Sequence, residues 1–261
     1  MPEDGLFELT LKNFQLQESS FAEPVFSKLF VCSQCLEKLE ASGMSAGLSA
    51  GAQNDLADLI TRIVKEEPPL THLDLQSVSS ASAEHGTQIL AALRASTSYT
   101  LTSLNLGGNP AWWNANNDNL VALIRTSNNQ EQLKKLHLRD SQLNSIGTTQ
   151  LLQGMTEYVF CTIEQLDLSM SGNYEDPQAC RHLAYLVAEA PELKQLNVNS
   201  NPAEESKQQI RLDVTYATEN AQGGVDEADR GMVRVVDAAS DTVICQVATN
   251  KVAGFHKMQI W

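Results

Sequence analysis

Basic residues are scarce in this chain: 18 Lys and Arg stand against 32 Asp and Glu among 261 residues, a formal charge of −14. A phosphate backbone is held by Lys and Arg, so general nucleic-acid binding is not expected. Long apolar runs are missing too. None approaches the roughly 18 residues of a membrane helix, so no membrane partner is expected. The opening MPEDGLFELTLKNF has neither a basic start nor an apolar core. No secretory leader is therefore expected, and the expected location is cytoplasmic. Cysteine is sparse and odd in number: Cys32, Cys35, Cys161, Cys180 and Cys245. That spacing is unlike a disulfide scaffold, and reduced thiols are expected. Phosphate-binding G-x-x-x-x-G-K-[ST], dinucleotide G-x-G-x-x-G, zinc H-E-x-x-H and calcium-loop motifs are all missing, so neither cofactor nor metal is expected.

What the chain does have is a repeat, and a 42% hydrophobic fraction sufficient for a real core. A block L-x-x-L-x-L appears as LTHLDL at 70, LTSLNL at 101, LKKLHL at 133, IEQLDL at 163 and LKQLNV at 193. Weaker copies are LFELTL at 6 and LEKLEA at 36. The seven starts are separated by 30, 34, 31, 32, 30 and 30 residues. Alternation within each block predicts a short strand with one buried face. Polar turn residues follow, and then apolar residues three and four apart, which predict a helix. Leu56, Leu59, Ile60 and Ile63 form one such face, and Leu183, Leu186 and Val187 another. Units of strand, loop and helix cannot bury their edges alone, but stacked side by side they share one core. The expectation is an α/β solenoid with a parallel sheet on its concave side and helices on its convex side.

This pattern resembles the leucine-rich repeat family, and its long period with a full helix is similar to the ribonuclease-inhibitor-like subclass. The resemblance spans roughly residues 6–203. The family places Asn or Cys three residues after the last leucine of the block, where it ties down the turn. Asn109 and Asn201 match that position, while Val78, Ser141 and Ser171 do not. Less regular turns are expected at those three. Gly51, Gly86 and Gly147 match the subclass glycine ahead of the helix. Residues 1–203 are accordingly taken as the repeat domain. Residues 204–261 break the period, and alternation at 210–216, 232–236 and 242–247, with a turn at 237–241, predicts a β-rich cap or small module. Residues 1–35 are expected to close the other end, with Phe7, Phe14, Phe21, Phe26 and Phe30 providing bulk.

Outward positions of the strands form columns. One runs Glu8, Lys38, His72, Ser103, Lys135, Gln165, Gln195, and the next runs Thr10, Glu40, Asp74, Asn105, His137, Asp167, Asn197. A third runs Lys12, Ser42, Gln76, Gly107, Arg139, Ser169, Asn199. These mixed hydrogen-bonding residues suit a protein partner better than a ligand tunnel. Seven strands about 4.8 Å apart offer a projected face on the order of 430 Å². An interface of standard size takes about 800 Å² per partner, so neighbouring loops must contribute. Lys135, His137 and Arg139 make a basic spot on one strand, which Asp167 and Asp140 would neutralise on the blander reading. Gly107 to Asn114 is read as a loop holding two of the three tryptophans, Trp112 and Trp113. Trp and Arg are over-represented at binding hot spots, and an exposed anchor is weighed there against tryptophans folded over the loop or the adjacent helix.

The expected function is a non-enzymatic protein-binding scaffold, probed first at Trp112, Trp113, Lys135, His137, Arg139, His72, Asp74, Asn105 and Asp167. A monomer is expected, and the acidic field favours a partner with a basic surface. The resemblance implies alternatives. Such repeats occur in GTPase activators, for which Arg139 or Asn105 would act, in ubiquitin-pathway proteins, and in repeat-only secreted bacterial effectors acting on a host protein. Catalytic patterns are weak. G-x-S-x-G occurs twice, around Ser45 and Ser49, but in the loop of a repeat. Cys32 and Cys35 are a lone C-x-x-C with no second pair. Cys245 lies in an apolar β run, with His256 its only suggested base.

Overall fold

The computed structural model describes residues 7–11, 28, 30, 33–44, 49–66, 68–78, 82–96, 100–129, 133–156, 162–171, 174, 176–198, 210–218, 225, 227, 230–249 and 259–260. For 33, 114–117, 125–129, 259 and 260 it gives the backbone alone. The expectations on Lys12, Phe14, Phe21, Phe26, Cys32, Ser45, Cys161, Asn199, Asn201 and His256 lie outside these residues.

The chain is α/β. Seven three-residue strands start two residues into each block: β1 (Glu8–Thr10), β2 (Lys38–Glu40), β3 (His72–Asp74), β4 (Ser103–Asn105), β5 (Lys135–His137), β6 (Gln165–Asp167) and β7 (Gln195–Asn197). They pair in parallel, in chain order. Their central residues, Leu9, Leu39, Leu73, Leu104, Leu136, Leu166 and Leu196, are buried. Each of these leucines aligns with the next, so the apolar face is continuous.

From β2 to β7 a helix returns the chain between each pair of strands: α1 (Ala50–Lys65), α2 (Ala83–Ala95), α3 (Pro110–Asn129), α4 (Ser145–Thr156) and α5 (Pro177–Glu189). Their starts are dictated locally. Ser49 Oγ accepts from Ala52 N at 3.3 Å, Asn144 Oδ1 from Gly147 N at 2.7 Å and Asp176 Oδ1 from Gln178 N at 2.9 Å, satisfying donors that the first turn leaves unpaired. Consecutive helices pack on one another. Their predicted apolar faces, such as Leu56, Leu59, Ile60 and Ile63, join the strand leucines in one core.

The turns after the strands are more regular than expected. Gly43, Ser77, Gly108, Asp140 and Met170 each stand seven residues past a block start, and each has a left-handed φ between 53° and 69°. The amide at this position donates to the carbonyl one residue short of the same position in the next turn. Gly43 N reaches Gln76 O, Ser77 N reaches Gly107 O, Gly108 N reaches Arg139 O and Asp140 N reaches Ser169 O, all at 2.7–2.9 Å. Backbone bonding between neighbours therefore sets the turn, and four non-asparagine residue types accept it. Asn109 is buried and donates to Leu75 O, Leu106 O and Gly107 O at 2.8, 3.0 and 3.1 Å. Ser171 takes over this work in its own turn: its Oγ bonds Leu138 O and Ser169 O and accepts from Ser141 N at 3.0 Å. The expectation of irregular turns at 78, 141 and 171 is thus corrected.

The C-terminal segment forms the predicted strands: β8 (Ile210–Thr215), β9 (Gly231–Asp237) and β10 (Val243–Thr249), antiparallel in the order β10-β9-β8. Val233 and Val235 are buried, β9 and β10 pack on α5, and Thr249 Oγ1 donates to Ala188 O at 2.9 Å. A strand with no repeat behind it, β11 (Gln259–Ile260), then pairs in parallel with β7, making the main sheet eight-stranded. At the other end Phe7 is 54% exposed, against the expectation that it closes the core. Phe30 does pack there, with the Arg62 guanidinium 4.1 Å above its ring.

Candidate functional site

Sheet register decides the candidate site. Lys38, His72, Ser103, Lys135, Gln165 and Gln195 are consecutive partners across six strands, and so are Glu40, Asp74, Asn105, His137, Asp167 and Asn197. Each pair flanks a buried leucine, so both columns face away from the core. His72 and Lys135 are exposed, and Asp74, Asn105, His137 and Asp167 are half-buried. The third column is less even. Gln76 and Arg139 are exposed, whereas Gly107 and Ser169 are buried.

Three of the expected binding residues also have local duties. Asp74, Asn105 and Asp167 each accept, through Oδ1, the backbone N–H two residues on, from Gln76, Gly107 and Ser169 at 2.9, 3.1 and 2.9 Å. Asn105 further donates to Gln76 Oε1 at 3.3 Å. An acidic or amide side chain at this position starts the turn by mimicking a backbone acceptor. In β5 the same position is His137. Burial pushes its imidazole below the ordinary value, opposed by the Asp167 and Asp74 carboxylates and assisted by Lys135. His72 is held differently, its Nδ1 2.9 Å from Thr71 Oγ1.

Lys135 and Arg139 make no ion pair among the described residues; Arg139 Nη2 instead lies 3.8 Å from Met170 Sδ. Of the two carboxylates weighed as neutralising the basic trio, Asp167 acts on His137 by its charge. On this face Lys38 pairs with Glu40 at 2.9 Å, and at the strand starts Lys194 pairs with Glu164 at 2.7 Å.

The tryptophans are a correction. Trp112 and Trp113 are 0% and 1% exposed and lie in the first turn of α3, not in a loop. Pro110, with its fixed φ and no amide hydrogen to satisfy, suits the first helical position and starts α3 earlier than the polar run suggested. Trp112 N bonds Asn109 O at 3.0 Å, and the two rings sit 6.4 Å apart, tilted by 55°. A missed signal lay in the repeat itself. Tyr174 stands, like Trp112, eleven residues past its block start, and it too is buried. Partner contacts by either tryptophan are therefore withdrawn.

Ser49 of the second G-x-S-x-G caps α1, its Oγ accepting from Ala52 N. Cys35, Cys180 and Cys245 are free thiols. Burial pushes Cys180 up to about 12 and raises Cys245 as well, so neither is an activated nucleophile. Among the described residues, no three His, Cys, Asp or Glu side chains gather to hold a metal. No helix among them is long and apolar enough to cross a membrane. In comparison with known proteins, no protein-family model and no curated protein sequence matches the chain.

Proposed function

We propose that this chain is a leucine-rich-repeat solenoid that works as a non-catalytic protein-binding scaffold, holding its partner on the outward face of the parallel sheet. The observation that carries this reading is the register: six strands present two unbroken columns of polar side chains, beside a basic residue pair that joins no ion pair among the described residues. A face fixed by the backbone ladder loses little conformational freedom on association, so binding energy is not consumed in ordering it. His72, Asp74, Asn105, Lys135, His137, Asp167 and Arg139 are the contact residues proposed, and the sheet's width again calls on neighbouring turns.

The test is crosslinking capture from cell lysate with the full chain and with a Lys135→Glu, Arg139→Glu variant whose fold is verified by circular dichroism. One specific partner lost in the variant supports the reading. A partner set unchanged by this variant and by Asp74→Lys overturns it.

A further inference from the structure

One lane of the outward face differs from all the others. Along β5 and the turn that follows it, the alternate side chains Lys135, His137 and Arg139 are all basic or protonatable. The lane on β4 beside it carries the short, uncharged Ser103, Asn105 and Gly107, and Asn105 is drawn away toward Gln76. On the other side Ser169, level with Arg139, is buried. The guanidinium leans to one flank, its Nη2 3.8 Å from Met170 Sδ, while the other flank, at Gly107, carries no side chain. Anions border the lane rather than fill it. Asp167 lies on β6 and Asp74 on β3, each already engaged by a backbone N–H.

We infer that this lane docks an extended acidic segment of a partner protein, laid over β4 with carboxylates at alternate positions reaching Lys135, His137 and Arg139. The inference rests on the sheet face being a protein-binding face, and adds the chemistry of what binds. Spacing supplies the specificity. Outward residues on a strand recur about every 6.6 Å, the same step as side chains i, i+2 and i+4 of another extended chain. An ordinary acidic cluster on a helix does not match two cations and an imidazole set in line. Asp74 and Asp167 repel carboxylates placed off the lane, which selects its register. The local demand for acid runs opposite to the chain's overall −14, so long-range steering and short-range fit pull in different directions.

The lane also makes docking pH-sensitive. His137 faces Asp167 from β6, Asp74 from β3, Lys135 along its own strand and the uncharged Asn105 from β4. Burial keeps its imidazole neutral near pH 7, and a docked carboxylate favours the protonated form. Acidic segments then bind more tightly as pH falls from 7.5 to 5.5, by up to about tenfold for one pK unit of coupling. His137→Gln removes this dependence while leaving His72 in place.

The experiment is selection of a random twelve-residue peptide display library on the full chain, followed by fluorescence anisotropy of the enriched peptides. Expected are peptides with Asp or Glu at i, i+2 and i+4. Their affinity falls at least about thirtyfold on Lys135→Glu, Arg139→Glu, and it falls also when the same acids are made consecutive. Enriched peptides that are basic or uncharged, but lost on Asp74→Lys, overturn this inference and leave the scaffold reading standing. Peptides indifferent to every variant of the face, or no enrichment at all, overturn both. A pH response unchanged in His137→Gln overturns the role given to the histidine.

Discussion

The indole of Trp112 occupies the space that a side chain on Gly86 would need: a Cβ built at that glycine meets the ring's Cγ at 2.6 Å. Gly86 lies in α2 and Trp112 at the start of α3, so one bare backbone position lets two neighbouring helices close over a large aromatic. In a helix, Ala would otherwise be the better residue by about 1 kcal/mol. Gly86→Ala is therefore expected to destabilise the chain, by about 1–2 kcal/mol once the overpacking is set against the helix gain. Chemical denaturation measures it. Trp112→Phe should relieve part of the clash, so the double variant Gly86→Ala, Trp112→Phe is less destabilised than the sum of the singles. A stabilised Gly86→Ala protein would contradict the packing.

Asn109 serves three carbonyls of two successive turns from a fully buried position. Asn109→Ala is expected to lower stability by about 2–4 kcal/mol, since each buried acceptor left unpaired costs about 1–3 kcal/mol and the site relaxes in part. Ser171→Ala, with fewer acceptors at stake, should lose less. Urea midpoints of the two variants give the order, and the reverse order would disprove this division of labour.

His85 is buried between α1 and α2 with its Nε2 2.7 Å from Asn54 Oδ1. Burial lowers its folded-state pKa, opposed by Glu84 and Asp58. The unfolded chain thus binds a proton more readily, near its ordinary value of about 6.5. The histidine's contribution to stability is complete above that value and declines as pH falls below it. His137 has the same sign. Stability measured from pH 7.5 to 5.5 should fall for the unmodified chain, with a shallower slope in His85→Gln. An equal slope would remove His85 from the account.

Cys180 is buried, its thiol pushed up to about 12 by that burial and by the nearby Cys245. Its Sγ sits 3.5 Å from Tyr174 O. In the native protein at pH 8 it is expected to resist a thiol reagent that modifies it fully after denaturation. Rapid native labelling of Cys180, read by peptide mass spectrometry, would show that α5 opens far more readily than its packing implies.

Lys135→Glu and Arg139→Glu should each shift stability by no more than about 0.5 kcal/mol, because exposed side chains that join no ion pair among the described residues contribute little. A large loss in thermal denaturation would mean that these residues hold the sheet rather than serve a partner.

Much of this fold is legible in the residues alone. A block recurring every 30–34 residues, with alternation and then helical spacing, locates the seven strands, the helix faces and the parallel pairing, because each apolar strand centre and helix face needs its neighbour to be buried. The columns follow from the same alternation, as do the three strands at 210–249. The part Asn109 plays in its turn is expected only from the resemblance to leucine-rich repeats.

Other features answer only to the neighbours in space. The turns at Ser77 and Asp140 accept left-handed backbone without glycine or asparagine because amides and carbonyls of adjacent turns bond one another, a constraint no single repeat displays. Trp112 and Trp113 look like a polar loop's exposed anchors until Gly86, 26 residues earlier, is seen to vacate the room for one of them. The two-residue β11 has no periodic mark, and only the unpaired edge of β7 draws it into the sheet. Local alternation determined which residues face outward; tertiary packing decided which of them stay accessible, because burial is shared between elements far apart in the chain.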